Sequence, residues 1–128
     1  MPNTSVRAAA EGMPKVNRLA PDPADDLSFM HRKPRDVGGI CHWNIEATGR
    51  YGADCDNGFS LAREYLDYIG RHPTNGNGTL LACIVNDMMV RRRDEGKLSG
   101  VELAFLNEVN RHAMATAKVV VATVGGDA

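Results

Sequence analysis

Apolar residues recur as adjacent pairs every four positions between residues 80 and 89, and this spacing restricts the fold more than any other feature of the chain. The pairs are Leu80 with Leu81, Ile84 with Val85, and Met88 with Met89. Because an α-helix completes one turn in about 3.6 residues, such pairs form a wide apolar face along one side of a helix. We predict a central helix over residues 80–93, with Thr79 as its N-cap.

A second helix has a clear starting signal. Ser99 and Glu102 have the spacing of a capping box, in which the serine hydroxyl and the glutamate carboxylate accept hydrogen bonds from free backbone N–H groups of the first turn. Val101, Phe105 and Val109 then continue an inward-facing stripe at helical spacing. We predict that this helix extends from the capping box to about residue 115.

A third helix is predicted over residues 58–69, with Asp56 or Asn57 as its N-cap. Its inward-facing residues are Phe59, Ala62, Leu66 and Ile69. Gly70 ends this helix, since glycine is common immediately after a helix and the His72-Pro73 pair that follows disfavours helical backbone.

Residues 40–45 alternate between apolar and polar side chains, which is typical of a half-buried strand. The tail, residues 118–124, is rich in β-branched side chains, and these slightly disfavour helix. The sequence leaves two structures open for this tail: a strand that pairs with residues 40–45, or a continuation of the preceding helix.

Residues 1–36 contain most of the prolines, so we expect a flexible, extended arm whose one apolar cluster, Leu27 with Phe29 and Met30, docks on the body. The expected fold is therefore mainly α. It comprises this arm and a single small three-helix domain over residues 37–128, with a short two-stranded β element if the tail is a strand.

Composition excludes several classes of function. A formal net charge of −1 gives no bulk attraction to nucleic acid or to an anionic membrane. No apolar stretch approaches the length of a membrane span, and neither a secretory signal nor a disulfide framework is visible, so we expect a cytoplasmic protein with reduced thiols and no membrane partner. Aromatic residues make up 5% of the chain, which predicts a core built mainly from aliphatic side chains.

No motif for catalysis or cofactor binding emerges from the residue spacing. Cys41, His42 and Cys55 are suitable zinc ligands, but they lack the paired spacing that fixes a tetrahedral site. The Gly76-Asn77-Gly78 segment lacks the lysine of a phosphate-binding loop. We therefore assign no catalytic residue, no metal and no cofactor, and we favour a non-enzymatic protein while leaving the question of an enzyme open.

The leading hypothesis is a small regulatory protein-interaction or adaptor module that binds itself or another protein. Three helices offer limited cover for the wide apolar face of the central helix, and a homo-oligomer is a natural way to bury it. Met88 and Met89 are the predicted contact residues, because the flexible methionine side chain adapts to varied surfaces.

The first alternative is a nucleic-acid-binding regulator. Arg91, Arg92 and Arg93 form a positive cluster at the end of the central helix, and such clusters bind phosphates. The same arginines also interact favourably with the dipole at the helix C-terminus, which is the simpler interpretation of their position.

The second alternative is a ligand-binding protein or small enzyme that uses residues 43–58. Loops on rigid scaffolds often carry function, and this stretch holds the candidate binding residues Trp43, Arg50, Tyr51 and Asp54. Cys55 lies just before the predicted third helix, where the helix dipole favours a reactive thiolate.

Overall fold

The computed structural model describes residues 27–125. The protein is mainly α, and its described elements are two short strands, three α-helices and one 3-10 turn. They are β1 (His31–Arg32), β2 (Ile40–Cys41), α1 (Tyr51–Arg71), the 3-10 turn (Asn75–Asn77), α2 (Leu80–Arg91) and α3 (Gly100–Gly125). The predicted three-helix architecture with a small two-stranded β element is confirmed. The part of the predicted arm over residues 1–26 lies outside the described residues.

Helix α2 begins where the apolar pairs predict, immediately after Thr79, although no hydrogen bond from the Thr79 side chain caps it. The first member of each pair faces the core: Leu80, Ile84 and Met88 are buried. The second member of each pair is only partly buried or, in the case of Met89, exposed. The apolar face that contacts the body is therefore narrower than the sequence pattern suggests.

Helix α1 begins at Tyr51, about two turns before the predicted start, so Asp56 and Asn57 lie inside the helix and do not cap it. The early start is organised by Asp54, whose carboxylate accepts hydrogen bonds from the backbone N–H (3.0 Å) and the hydroxyl (2.7 Å) of Thr48. These bonds hold the turn at Gly49, which has a φ of 86°.

The inward face of α1 is rotated by about one residue relative to the predicted stripe. Its buried apolar side chains are Leu61, Ala62, Tyr65 and Tyr68, whereas the predicted Leu66 and Ile69 are only partly buried. The two tyrosines occupy the face because a phenol buries its ring while its hydroxyl reaches a polar partner. The Tyr68 hydroxyl donates to Asn77 Oδ1 at 3.2 Å and thereby ties α1 to the 3-10 turn.

Gly58 is the point of closest approach between α1 and α3. A Cβ atom at this position would lie 2.8 Å from Ala104 Cβ and closer still to the Val101 carbonyl oxygen. The two helices run in the same direction, because Tyr51 lies against Gly100 whereas Arg63, farther along α1, lies beside Glu108.

Helix α3 continues through the tail to Gly125, so of the two structures that the sequence left open for residues 118–124, the helix is the one that forms. Strand β2 pairs instead with β1 in an antiparallel register that matches His31 to Cys41 and Arg32 to Ile40. The tail stays helical because extending an existing helix adds a hydrogen bond per residue without a new nucleation step, whereas β-branching opposes helix by only a fraction of a kcal/mol per residue.

The core is more aromatic than the composition predicts. Trp43, Phe29 and Phe105 are fully buried and lie within 5.0–5.6 Å of one another, centroid to centroid. Tyr65 extends this cluster to α1 through Phe105, at 5.7 Å. The predicted docking of the Leu27, Phe29 and Met30 cluster is confirmed, since Leu27 and Phe29 are buried in the core and Met30 packs against it.

Candidate functional site

Glu102, in the first turn of α3, is completely buried and accepts hydrogen bonds from three other residues. Trp43 Nε1 donates to its carboxylate at 2.7 Å, and Arg92 Nε donates to both carboxylate oxygens at 3.0 and 3.1 Å. The Ser99 backbone N–H and hydroxyl donate at 2.7 and 2.5 Å. Trp43, Arg92, Ser99 and Glu102 are referred to below as the Glu102 cluster. It joins the segment after β2, the C-terminal end of α2 and the first turn of α3.

Burial opposes the charged forms in this cluster, but pairing outweighs it. Desolvation raises the pKa of the Glu102 carboxyl. The hydrogen bonds from Arg92, Ser99 and Trp43 lower that pKa by more, so the net shift is downward. Desolvation likewise opposes the charge on Arg92, yet the Glu102 carboxylate keeps the pKa of the guanidinium raised. The two groups therefore form a buried ion pair whose hydrogen-bonding capacity is largely used within the fold.

Two of the three arginines predicted to bind phosphate instead hold the segment after β2. Arg91 donates to the Trp43 carbonyl at 2.9 Å and contacts the Glu46 carboxylate, and Arg92 donates to the Ile45 carbonyl at 2.7 Å. Arg93 is exposed. Since each ion pair with a glutamate offsets a positive charge, the cluster offers less free charge to a polyanion than its sequence suggests.

The fold divides the residues of the predicted 43–58 site, because Trp43 lies in the core whereas Arg50, Tyr51 and Asp54 lie together at the start of α1. Trp43 is completely buried, whereas Tyr51 is 70% exposed at the start of α1. The Thr48 hydroxyl and N–H lower the pKa of the Asp54 carboxyl, and the Cys55 thiol raises the pKa of the Tyr51 hydroxyl. Arg50 is exposed and precedes α1.

Polar groups of residues 43–58 form the first turn of α1 and contact α3. Cys55 lies within α1, partly buried, and its thiol faces the Gly100 carbonyl at 3.9 Å. Over residues 27–125, no group of three or more histidine, cysteine or acidic side chains is placed to hold a metal ion.

Of the two methionines predicted as contact residues, one lies inside the protein and the other lies at its surface. Met88 is completely buried in the core and, within this fold, has no atom available to a partner. Met89 is 61% exposed and lines a small cavity of about 290 Å³ between α2 and the start of α3.

A larger opening, of about 870 Å³, separates the C-terminal halves of α1 and α3. We call it the α1–α3 groove. Its lining residues are Arg63, Tyr65, Leu66, Asp67, Ile69 and Gly70 of α1, and Val109, His112, Ala113, Thr116, Ala117 and Val120 of α3. Most of these side chains are apolar, so the groove presents a hydrophobic surface to solvent.

The charged residues beside the groove pair within the chain. Arg111 donates to the Glu108 carboxylate at 2.7 Å, His112 lies 3.4 Å from the same carboxylate, and Arg71 donates to Asp67 at 2.6 Å. Pairing with Arg111 lowers the pKa of Glu108. These pairs leave the apolar lining as the main feature that the groove offers to another molecule.

The last turns of α3 are the second unusual surface. Every residue from 113 to 124 is exposed, and Lys118 is the single charged side chain among them. We call residues 113–124 the α3 extension. Its valines and Met114 are more than half exposed. A surface helix normally confines its apolar residues to one face, so a helix that is apolar nearly all round is expected to be covered by something else.

Sequence reasoning missed both surfaces, although the signal for the extension was present. Residues 113–124 combine alanine, valine and methionine with one charge, but the run of valines was weighed as a strand. The groove has no local signature, since its two walls come from residues about 50 positions apart.

Among the described residues, no helix has the combination of length and apolar character needed to cross a bilayer. Comparisons with protein-family models, with curated proteins and with solved structures found no match to this chain.

Proposed function

We propose that this chain is a non-enzymatic protein-interaction module that associates with itself. The observation that carries the proposal is the α3 extension, a helix segment that is exposed on all sides and nearly devoid of charge. Leaving this surface in water is unfavourable by roughly 25 cal/mol for each Å² of apolar area, so covering it drives association.

The contact surface differs from the one predicted from the sequence. Because Met88 lies in the core, the apolar face of α2 is largely used within the fold. The α3 extension and the α1–α3 groove beside it are the apolar surfaces left open, and a second copy of the chain supplies an apolar helix that fits such a groove.

The two alternatives stay predictions. Arg91 and Arg92 pair with Glu46 and Glu102, and Trp43 is buried whereas Arg50 and Tyr51 are exposed, so the described contacts favour neither alternative. We retain the predicted cytoplasmic location, because the described cysteines Cys41, Cys55 and Cys83 are free and free thiols suit a reducing compartment.

The proposal is tested by light scattering on the full chain after size exclusion, over a range from roughly 5 to 500 μM, which spans the affinities usual for small interfaces. We expect the mass to rise with concentration from 13.9 kDa to twice that value. Val120→Glu places a charge on the extension and is expected to keep the protein monomeric throughout.

Val37→Glu is the matched control, because Val37 is 68% exposed and lies outside α3. It is expected to dimerise like the unmodified chain. A mass that stays at 13.9 kDa in the unmodified chain at every concentration overturns the proposal, as does a Val120→Glu variant that dimerises normally.

A further inference from the structure

We propose that two copies associate about a two-fold axis at Thr116 and Ala117, with each α3 extension lying antiparallel in the α1–α3 groove of its partner. This inference rests on the proposed function, since it specifies the partner and the contact for the same surface. It commits the groove to one occupant, a second copy of this chain.

The argument begins with the face of α3 that lines the groove. At about 100° per residue, Val109, Ala113, Thr116, Val120 and Val124 fall on one side of the helix. The first four line the groove, and Val124 continues the same stripe beyond it. The α3 wall of the groove and the extension thus share one continuous apolar stripe.

That stripe is complementary to itself when reversed. With the axis between positions 116 and 117, Val109 faces Val124 of the second copy, Ala113 faces Val120, and Thr116 faces Ala117. Small side chains at the centre allow the two helix backbones to approach closely. Larger valines lie toward the ends, where the groove wall formed by Leu66 and Ile69 of α1 provides further apolar contact.

Symmetry also brings the buried area into the range of a real interface. The stripe spans 15 residue steps, or about 22 Å of helix, and covering one side of a helix of this length removes on the order of 400 Å². With the facing strip of α1, we take roughly 600 Å² for each copy, since it both inserts a helix and receives one; this is somewhat below the ~800 Å² per partner of a standard interface. A total of about 1,200 Å² is the lower limit of specific interfaces, which predicts a reversible dimer.

Side chains on the opposite side of the extension stay exposed in this dimer. Met114 and Lys118 lie about 120° or more from the centre of the stripe. Lys118, the single charge of the extension, therefore remains in water in the paired form. This placement explains why one charge is tolerated in an otherwise apolar segment.

The register is tested by cysteine cross-linking of the full chain under mild oxidation, with the unmodified chain as the control for the native cysteines. Thr116→Cys is expected to convert most chains to a covalent dimer, because equivalent Cβ atoms meet at the axis. Ala113→Cys alone is expected not to cross-link, since its symmetry mate is displaced by about 10 Å, beyond the reach of a disulfide.

Mixing Ala113→Cys chains with Val120→Cys chains is expected to restore cross-linking, because these positions face each other across the interface. Met114→Glu, on the opposite side of α3, is expected to change the dissociation constant by less than about threefold, whereas Val120→Glu raises it by more than about tenfold. Neither position is buried, so both variants are expected to fold.

The outcomes separate this inference from the proposed function. An unmodified chain that dimerises, but in which Thr116→Cys fails to cross-link or Met114→Glu abolishes association, overturns the antiparallel register and leaves self-association standing. An unmodified chain that is monomeric overturns both. If it becomes dimeric only when residues 1–26 are removed, those residues, and not a second copy, occupy the groove in the full chain.

Discussion

Glu102, the centre of the Glu102 cluster, and the α3 extension lie at opposite ends of the same helix and differ in how completely contacts within the chain use them. In the first turn of α3, the Glu102 carboxylate has donors from Trp43, Arg92 and Ser99 and no exposed surface. In the last turns, residues 113–124 are all exposed. One end of the helix is specified by contacts within the chain, and the other end is left with apolar surface.

This difference separates residues that hold the fold from residues available to a partner. A buried ion pair is costly to break, because the remaining charge has no water to solvate it. An exposed valine contributes little to the monomer but offers surface to another molecule. Variants at the two ends of α3 should therefore affect different measurements: unfolding at one end and association at the other.

The largest expected effect comes from Glu102→Gln. The change removes the buried counter-charge of the Arg92 guanidinium and leaves only the exposed Glu46 carboxylate, 3.8 Å away, which we expect to destabilise the protein by about 3–5 kcal/mol. Urea unfolding followed by circular dichroism measures this loss. Glu64→Gln is the control, because Glu64 accepts hydrogen bonds from Ser28 at the exposed surface, and it should lose about 1 kcal/mol. Equal losses in the two variants would mean that the Glu102 cluster does not hold the fold.

Acid should remove part of the same stabilisation. The folded-state pKa of Glu102 is lowered below its ordinary value of 4.5, despite the opposing effect of burial, and that of Asp54 is lowered by the Thr48 hydroxyl. A lowered folded-state pKa gives stability that is present above the unfolded value and is lost as the pH falls through the folded value.

We therefore expect the free energy of unfolding to hold above about pH 5 and to decline below about pH 4.5. Urea unfolding at a series of pH values across this range measures how steeply the free energy of unfolding changes with pH. Glu102→Gln has no carboxyl to titrate at this position, so its decline should be shallower than that of the unmodified chain. An identical slope in both proteins would contradict the assignment of Glu102.

A smaller effect is expected at the contact between α1 and α3. Gly58→Ala forces a Cβ atom against Ala104 and the Val101 carbonyl, and we expect a loss of about 1–3 kcal/mol because the backbones must separate. Gly52→Ala is the matched control in the same helix, since a Cβ there meets no atom within 4 Å. It should stabilise α1 by up to about 1 kcal/mol. Similar stabilities for the two variants would show that the close approach is not needed.

The smallest effect is expected in the extension. Val119 is 64% exposed, and Val119→Ala should change the stability of the monomer by no more than about 0.5 kcal/mol. Val101→Ala, at a fully buried valine of the same helix, should lose about 2 kcal/mol. Unfolding at low micromolar protein concentration makes the comparison, and a large loss at Val119 would place the extension inside the fold.

Local patterns in the chain predicted α2 and the start of α3 correctly. Both signals act between residues no more than four positions apart: the repeating apolar pairs of α2, and the Ser99 and Glu102 spacing that begins α3. Interactions at this range form within a single turn and depend little on the rest of the molecule.

The start of α1 was not predictable in the same way. Gly52 has poor intrinsic helix propensity, and Asp56 and Asn57 are typical N-cap residues, so the sequence placed the start of this helix at residue 58. Packing of Gly58 against α3 gives a close helix contact at this position. The start also depends on Asp54, whose bonds to Thr48 reach back across Gly49.

The candidate interaction surface was only partly visible in the sequence. The apolar composition of residues 113–124 can be read directly, but whether they form helix or strand, and whether anything within the chain covers them, depends on distant contacts. The partners of Arg91 and Arg92 were likewise hidden, because, apart from Glu102, the groups that bind them lie in residues 43–46, more than 40 positions away.

By itself, the sequence determined that the chain is mainly α, where two of its helices begin and which cluster near residue 27 joins the body. The tertiary structure alone decided which residues of each apolar face are fully buried, which arginines are paired and which apolar surface stays open. The reason is physical: helix signals act within one turn, whereas burial and ion pairing depend on atoms brought together from distant parts of the chain.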